Sequence, residues 1–557
     1  MERSGAEIII EELIGHGIEL VAGMPGGANL PLYDALARSS LRHVLVRHEQ
    51  AAGFIAQGMA RVSGRAGVCF ATSGPGATNL VTALADARMD SIPLVAITGQ
   101  VPTALIGTDA FQEVDTCAIV RPVVKHAERV DRVHGLALAL QRAFHLAQSG
   151  RPGPVLIDVP KDVQTARCEH RTLARGVDQP SHRPSASALP DEQLDAAVRE
   201  LQRAQRPVLF VGGGVSQAGA QREIAELAAR QELPVACSLM GLGCFDPDAP
   251  LALGMIGMHA APFTNLVLRE ADLIVGIGVR FDDRATGKLS EFCPHARTVH
   301  VDIDARELGK LRSLDLAVCC DAARFLTALL PRVPARRRPE WSARVRELKR
   351  QEPLVLPPGR DPRRATHLLQ HVGARLDPRT IVTTDVGQHQ MWAAQLLPFR
   401  APRRLLTSGG LGSMGFGLPA AIGAALASDA PVLCVSGDGS LLLNIHELAT
   451  LAELELDVTI LLLDNRHLGL VRQQQALFYG GRFSAAHLPQ ATDFAGVARA
   501  MGVRACSLAG EPDAFARLDE LLAERGPQLI HAPIEASDHV LPMVPPGAGN
   551  HEMVRAQ

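Results

Sequence analysis

Short apolar runs that close on Gly, Asp, Thr or Asn recur along the whole chain, and they constrain its architecture most. They include GVCFAT (67–72), PLVAITG (93–99), PVLIDVP (154–160), PVLFVGGG (207–214), DLIVGIG (272–278), IVTTDVG (381–387), PVLCVSGDG (431–439) and VTILLLDN (458–465). A strand that is apolar throughout, rather than at every second residue, is buried on both faces. That is the condition of a parallel strand sandwiched between helices. Helix-like segments alternate with these runs, and a 47% hydrophobic composition supplies the cores. The expected class is α/β, built from doubly wound parallel sheets.

At about 100–200 residues per domain, 557 residues make roughly three domains. Two segments interrupt the rhythm. One is polar and proline-bearing (166–190); the other is basic and proline-rich (331–364). Both read as surface linkers, and the arginines at 336–338 as solvated. The domains are then 1–165, 190–330 and 365–557, and the similar first and third allow two related folds. With 56 Lys+Arg against 59 Asp+Glu, net charge is −3, which argues against a nucleic-acid or membrane-surface protein. No apolar run approaches the ~18 residues that span a bilayer. The start, MERSGAEIII, lacks the shape of a signal or transit peptide. Ten cysteines without a CxxC fit reduced thiols in the cytoplasm.

The segment GDGSLLLNIHELATLAELELDVTILLLDN (437–465) holds the sharpest chemical signal. Open α/β sheets bind ligands beyond the carboxyl ends of their strands. Gly437 and Gly439 let the backbone turn beside Asp438. The next strand places Asn465 at a neighbouring end. A carboxylate and an amide oxygen together suit Mg2+, which shares its six oxygens with phosphates and water. The expectation is a site for Mg2+ and a diphosphate.

This spacing resembles the thiamine-diphosphate motif, with Asp464 where the usual first asparagine stands. The resemblance adds the backbone carbonyl of His467 as third metal ligand. It makes Glu49, in HVLVRHEQAAGF, the carboxylate that hydrogen-bonds the aminopyrimidine and promotes loss of the thiazolium C2 proton. Taken alone, Glu49 also reads as an acid favoured at a helix N-terminus. GVCFATSGPGATN matches the wall of that site, with Thr72, Pro75 and Asn79 as contacts. Val386, Gly387, Gln388 and His389 are implied to cradle the diphosphate. The Gly412 carbonyl is implied to hold the 4′-amino group, and Met414 to bend the cofactor, although methionine is also ordinary core filler. Glu49 and Asp438 meet across two subunits in that family, so a homodimer, or a homotetramer built from it, is implied.

The loop PVLFVGGGVSQAG resembles a dinucleotide loop, with Gln217 at the third-glycine position. SLMGLGCFDPDAPLALGMIGMHA, LIVGIGVRFDDRATG and VHVDIDARELGK resemble the FAD domain of acetohydroxyacid synthases, the anabolic acetolactate synthases. The resemblance places Gly213, Gly214, Met240, His259, Arg280, Asp282, Asp302 and Asp321 near the flavin. Cys320 replaces the glycine usual before that last aspartate. GMPGGANLPLYDAL, GTDAFQEVD and LPMVPPGAGNHEMV extend the resemblance over nearly the whole chain, and LGLVRQQQALFY is similar to the bacterial isozyme I kind. The implied fold is three doubly wound domains of pyruvate oxidase/decarboxylase-like architecture. The implied reaction decarboxylates pyruvate and condenses the fragment with pyruvate or 2-ketobutyrate, the first common step of branched-chain amino-acid biosynthesis. The resemblance also places Gly27 by the reaction centre and Arg284 near the second substrate's carboxylate. Phe111, Gln112, Lys125, Met258 and Val471 line the approach, and Gln474 replaces a tryptophan against the acceptor's alkyl tail. Lys125 as a surface ion, Phe111 as packing and Gln474 on an idle helix face stay open. So do a flavin-dependent pyruvate oxidase, a non-catalytic cofactor-binding relative and a small regulatory partner.

Overall fold

A computed structural model describes residues 2–170, 189–489 and 492–555. Most of the expected 166–190 linker lies outside the described residues.

The described residues form three six-stranded sheets, each wholly parallel. The first contains Leu20–Gly23, Arg42–Leu45, Gly67–Ala71, Leu94–Gln100, His126–Arg129 and Pro154–Pro160. Counted in chain order, its strands run 2-1-3-4-6-5 across the sheet. The third contains Ile381–Thr384, Leu405–Leu406, Val432–Gly437, Val458–Asp464, Arg504–Ser507 and Gln528–Pro533, and repeats the order 2-1-3-4-6-5. The middle sheet begins at Pro207–Val211 and ends at Leu316–Cys319, with the order 3-2-1-4-5-6 of dinucleotide-binding folds.

The helix after the second strand of each outer domain packs on its counterpart. These are Glu49–Ser63 and Gly417–Leu426. Glycines permit the approach from both sides. A Cβ on Gly58 would stand 2.3 Å from the Ala420 carbonyl oxygen, and one on Gly423 would stand 2.1 Å from that of Ile55. Phe54 meets Phe416 edge-on at 5.3 Å beside this contact. A single buried core therefore runs from Val44 and Ile55 to Ile422 and Leu462.

The basic segment 331–364 departs from its reading as a linker. Pro339–Gln351 is a helix whose Trp341, Val345 and Leu348 are buried against Phe210 and Ile274 of the middle domain. Arg338 is buried too, donating to the carbonyls of Leu201 and Gln231. Those bonds satisfy a guanidinium that composition alone assigned to water.

Candidate active site

Parallel register brings the acidic turn and the Asp-Asn pair together. Gly437 pairs with Leu463, so Asp438 and Asp464–Asn465 leave adjacent strand ends. Asp438 Oδ1 accepts the Gly439 amide at 2.8 Å, while its Oδ2 is buried with no hydrogen-bond partner. Burial, then the neighbouring Asp464 carboxyl, push Asp438 far above the usual aspartate range. An orphaned, destabilised carboxylate oxygen fits a hard divalent cation, which would remove the penalty. Asn465 Nδ2 donates to Gln388 Oε1 at 3.1 Å, and Asn465 Oδ1 accepts the His467 amide at 3.0 Å. Gln388 is held in turn, donating to Gln473 and to the Asp538 carbonyl, each at 2.9 Å.

His389 supplies a second orphan. Its Nε2 is buried without a partner, and burial holds the imidazole down to about 3, so the ring is neutral. Gly437 is required here, because a Cβ would lie 2.7 Å from His389 Nδ1. Val386 accepts the Ser440 hydroxyl at its carbonyl, and Gly387 is the N-cap of the Gln388–Leu396 helix. A neutral ring and a helix N-terminus beside a cation site fit a diphosphate. Gly412 takes a left-handed φ of +75°, and the Met414 methyl lies 3.8 Å from where a Cβ on Gly439 would stand. Met414 and the acidic turn are thus neighbours.

The other half-site is built on the first domain. Glu49 opens its helix behind His48, whose Nδ1 accepts the Gln50 amide. Asn79 Nδ2 donates to Glu49 Oε2 at 2.9 Å. A Cβ on Gly76 would lie 3.2 Å from Glu49 Oε1, so the loop after Pro75 closes directly on the carboxylate. Thr72 Oγ1 accepts the Ala28 amide, seating the 24–29 loop over this point, and Gly27 faces open space. Gln112, at φ +61°, abuts Gly74 from the next loop, and Phe111 beside it is 88% exposed.

Lys125 has backbone partners within its own domain. Its ammonium donates to the carbonyls of Leu146 and Ser149 at the end of the Leu136–Gln148 helix. Burial lowers it to about 8. In this chain it caps a helix.

A cavity of about 880 Å³ lies where the three domains meet. Gly213, Gly214, Met240, Met258, His259, Arg280, Asp282, Asp302 and Asp321 all line it, as do Arg284 and Gln474. Its volume suits a large cofactor. The glycine loop interlocks with the next strand end, since a Cβ on Gly214 would stand 2.6 Å from Gly278 Cα. Burial raises Asp302 to about 6 and lowers His259 to about 4. Asp282 and Asp321 cap short helices by accepting the amides of Ala285 and Arg324. Arg284 is largely exposed, and its Nε lies 3.8 Å from Asp283 Oδ2. Val471 lines a smaller neighbouring cavity of about 350 Å³, and Gln474 borders both.

Motif reading missed Glu447. This fully buried acid accepts the Arg47 amide at 2.8 Å, and Asn444 donates to Gln50 and to the Gly415 carbonyl. The segment after the acidic turn thus holds the turn that presents Glu49. An acid inside the apolar stretch LNIHELATL was the available signal.

Two topologically matched domains, one with an orphaned buried carboxylate oxygen at adjacent strand ends and one with an amide-held glutamate, fit a thiamine diphosphate (thiamine pyrophosphate) enzyme. Family models agree. The N-terminal TPP binding domain of thiamine pyrophosphate enzymes matches residues 3–119, the central domain 194–329 and the C-terminal TPP binding domain 385–532. The chain belongs to the acetolactate synthase large-subunit family. It is 52% identical over 555 residues to the acetolactate synthase isozyme 1 large subunit of Escherichia coli, covering 99% of this chain and 97% of that one. It is 44% identical to the isozyme 2 large subunit of the same organism, covering 99% of each. A probable acetolactate synthase large subunit of Methanocaldococcus jannaschii is also 44% identical, over 98% of this chain and 94% of that protein.

Proposed function

We propose that this chain decarboxylates pyruvate and joins the resulting two-carbon unit to a second 2-keto acid. Pyruvate as acceptor gives 2-acetolactate; 2-ketobutyrate gives 2-aceto-2-hydroxybutyrate. The observation that carries this reading is that the two matched domains of one chain supply Glu49, held by Asn79, and Asp438, whose buried Oδ2 lacks a hydrogen-bond partner. Thiamine diphosphate, when bound, supplies the electron sink for decarboxylation and carbon–carbon bond formation. Asp438, the Asn465 amide and the His467 carbonyl hold Mg2+. Gln388 fixes the Asn465 side chain, and the neutral His389 ring faces the diphosphate. Glu49 would offer its carboxylate to the cofactor's aminopyrimidine, and its burial would keep water from competing for the proton it holds. Gly27 leaves room for substrate, while Arg284 offers its guanidinium to the acceptor's carboxylate. FAD occupies the three-domain cavity without a redox task, because the net reaction transfers no electrons to it.

Phe111, Leu411, Leu442 and Leu443 are exposed apolar side chains around the two half-sites. They support a homodimer in which one chain's Glu49 faces its partner's metal cleft. Ten free cysteines and no disulfide support a reducing, cytoplasmic setting. Among the described residues no helix is long and apolar enough to cross a membrane. The relatives are named as large subunits, which supports a small regulatory partner. Gln474 is the proposed acceptor-selecting residue. It offers little apolar surface to the methylene that distinguishes 2-ketobutyrate, so the two acceptors should compete nearly evenly. Gln474→Trp should favour the larger one, by up to about 10–200-fold.

Product analysis tests the reading. Pyruvate with thiamine diphosphate, Mg2+ and FAD should yield acetolactate, and a redox-inert flavin analogue should replace FAD. Acetate or acetyl phosphate formed with reduction of the flavin would identify an oxidase instead. Failure to bind thiamine diphosphate would identify a non-catalytic relative.

A further inference from the structure

The motif reading leaves unexplained a knot of buried charge between the first and third domains. Arg61, on the Glu49–Ser63 helix, faces Asp86 and Asp90 on the Val81–Asp90 helix. Its Nη2 donates to Asp90 Oδ2 at 2.9 Å, to Gln57 Oε1 at 3.1 Å and to Asp86 Oδ2 at 3.4 Å. All three charged side chains are almost wholly buried. Two carboxylates against one guanidinium are not balanced within the first domain.

The third domain supplies what is missing. The Gly409 and Gly410 amides donate to Asp90 at 3.0 and 2.7 Å. The Ser408 and Ser413 hydroxyls both donate to Asp86 Oδ1, and the Ser413 amide closes the loop on Ser408 Oγ at 2.8 Å. The stretch 408–413 is therefore folded around two carboxylates of another domain. Its next residues are the proposed cofactor-bending ones, ending at Gly415, whose amide donates to Asp385.

The outer side of the same loop is a wall of the three-domain cavity. Gly409, Gly410, Leu411 and Gly412 line it, together with Arg61 and Asp90. Met240 of the middle domain packs so tightly here that a Cβ on Gly409 would stand 2.4 Å from its sulfur. Arg280 donates to the Met89 carbonyl at 2.9 Å, beside Asp90.

We infer that Arg61, Asp86 and Asp90 are positioning residues that lock the 408–413 loop, and that through this loop the flavin cavity and the thiamine site are one mechanical unit. This inference rests on the proposed function for the identity of the two cofactors. A cofactor filling the cavity presses on the loop's outer side. The knot, two of whose residues share that cavity wall, fixes the loop in place, and Gly412 and Met414 take the resulting position. The flavin then has a part in the reaction without electron transfer: it sets where the thiamine cofactor is bent.

The test reads binding as well as turnover. Full-length protein is titrated with Mg2+–thiamine diphosphate in the presence and absence of saturating FAD. FAD should tighten thiamine diphosphate binding by about 5–150-fold, and thiamine diphosphate should tighten FAD binding by the same factor. Asp90→Asn keeps the side chain's shape but removes one carboxylate acceptor, so this coupling should collapse towards one. The variant's kcat should fall by about 10²-fold, as expected for misplaced reacting groups, with KM for pyruvate within about twofold. Ser413→Ala leaves every ion pair in place and should move coupling and kcat in the same direction by less. It decides the matter if Asp90→Asn does not fold. Coupling absent in the wild type, or undiminished in both variants while only the melting temperature drops, would overturn the inference. Failure of the proposed function would look different: no acetolactate from pyruvate, whatever the coupling.

Discussion

The first and third domains share a strand order, yet the same topological places carry opposite chemistry. In both, the loops after strands one and three flank the point where strand order reverses. In the first domain those loops are 24–29 and 72–76, lined by glycines, Thr72 and backbone. In the third they are 385–389 and 438–439, carrying Asp385, Asp438 and His389. On the proposed function, one end would accept an uncharged ring beside a single glutamate, and the other a cation and a diphosphate. The sheet decides where a ligand can sit; the loop residues decide which part of it.

Activation and anchoring should thus separate experimentally. Glu49→Gln should lower acetolactate formation by about 10²–10⁴-fold, the range of a lost general acid–base group, with Mg2+–thiamine diphosphate affinity near wild type. Exchange of the cofactor's C2 proton, followed by NMR, should slow in parallel. A comparable loss of cofactor affinity in this variant would break the division between the domains.

On the anchoring side, Gln388→Ala should weaken Mg2+-dependent cofactor binding by about 10–100-fold, as expected for loss of a group that orients a metal ligand. Calorimetric titration with and without Mg2+ checks this. Unchanged affinity would mean that Asn465 needs no support from Gln388.

The raised pKa of Asp438 carries a pH dependence with a definite sign. Burial and Asp464 favour its protonated form, and a bound cation requires the ionised one. Cofactor affinity should therefore rise with pH, by at most about tenfold per unit for one competing proton, and level off once Asp438 is ionised. Asp438→Asn should bind more weakly and lose this slope. A slope of the same size in that variant would assign the proton elsewhere.

The smallest effect tests the pseudo-symmetry of the packed helices. Gly58→Ala and Gly423→Ala each drive a methyl onto the opposing helix's carbonyl. Each should cost about 1–3 kcal/mol in thermal or urea unfolding. A large loss in one and none in the other would show that only one helix sets the spacing.

Much of the fold is legible in the sequence because buried parallel strands leave a local trace. Runs such as PVLCVSGDG and VTILLLDN mark both the strand and the functional end of it. The Pro339–Gln351 helix escaped because prolines and ten charged residues among 331–351 outweigh its sparse apolar stripe at 341, 345 and 348. Lys125 escaped for a different reason. Its ammonium meets the end of a helix more than twenty residues away, a partner that no spacing rule reveals.

By itself the sequence determined the three α/β units and the turn that carries Asp438, along with the glycines that a close backbone approach demands. These follow from periodicity, backbone sterics and residue chemistry, all local quantities. Only the tertiary structure decided which buried charges face each other. Asp86 meets the Ser408 and Ser413 hydroxyls, and Asp90 the Gly409 and Gly410 amides, each across more than 300 residues. A desolvated charge is stabilised by whatever donor the fold brings within about 3 Å, and that proximity is a property of packing that no stretch of sequence contains.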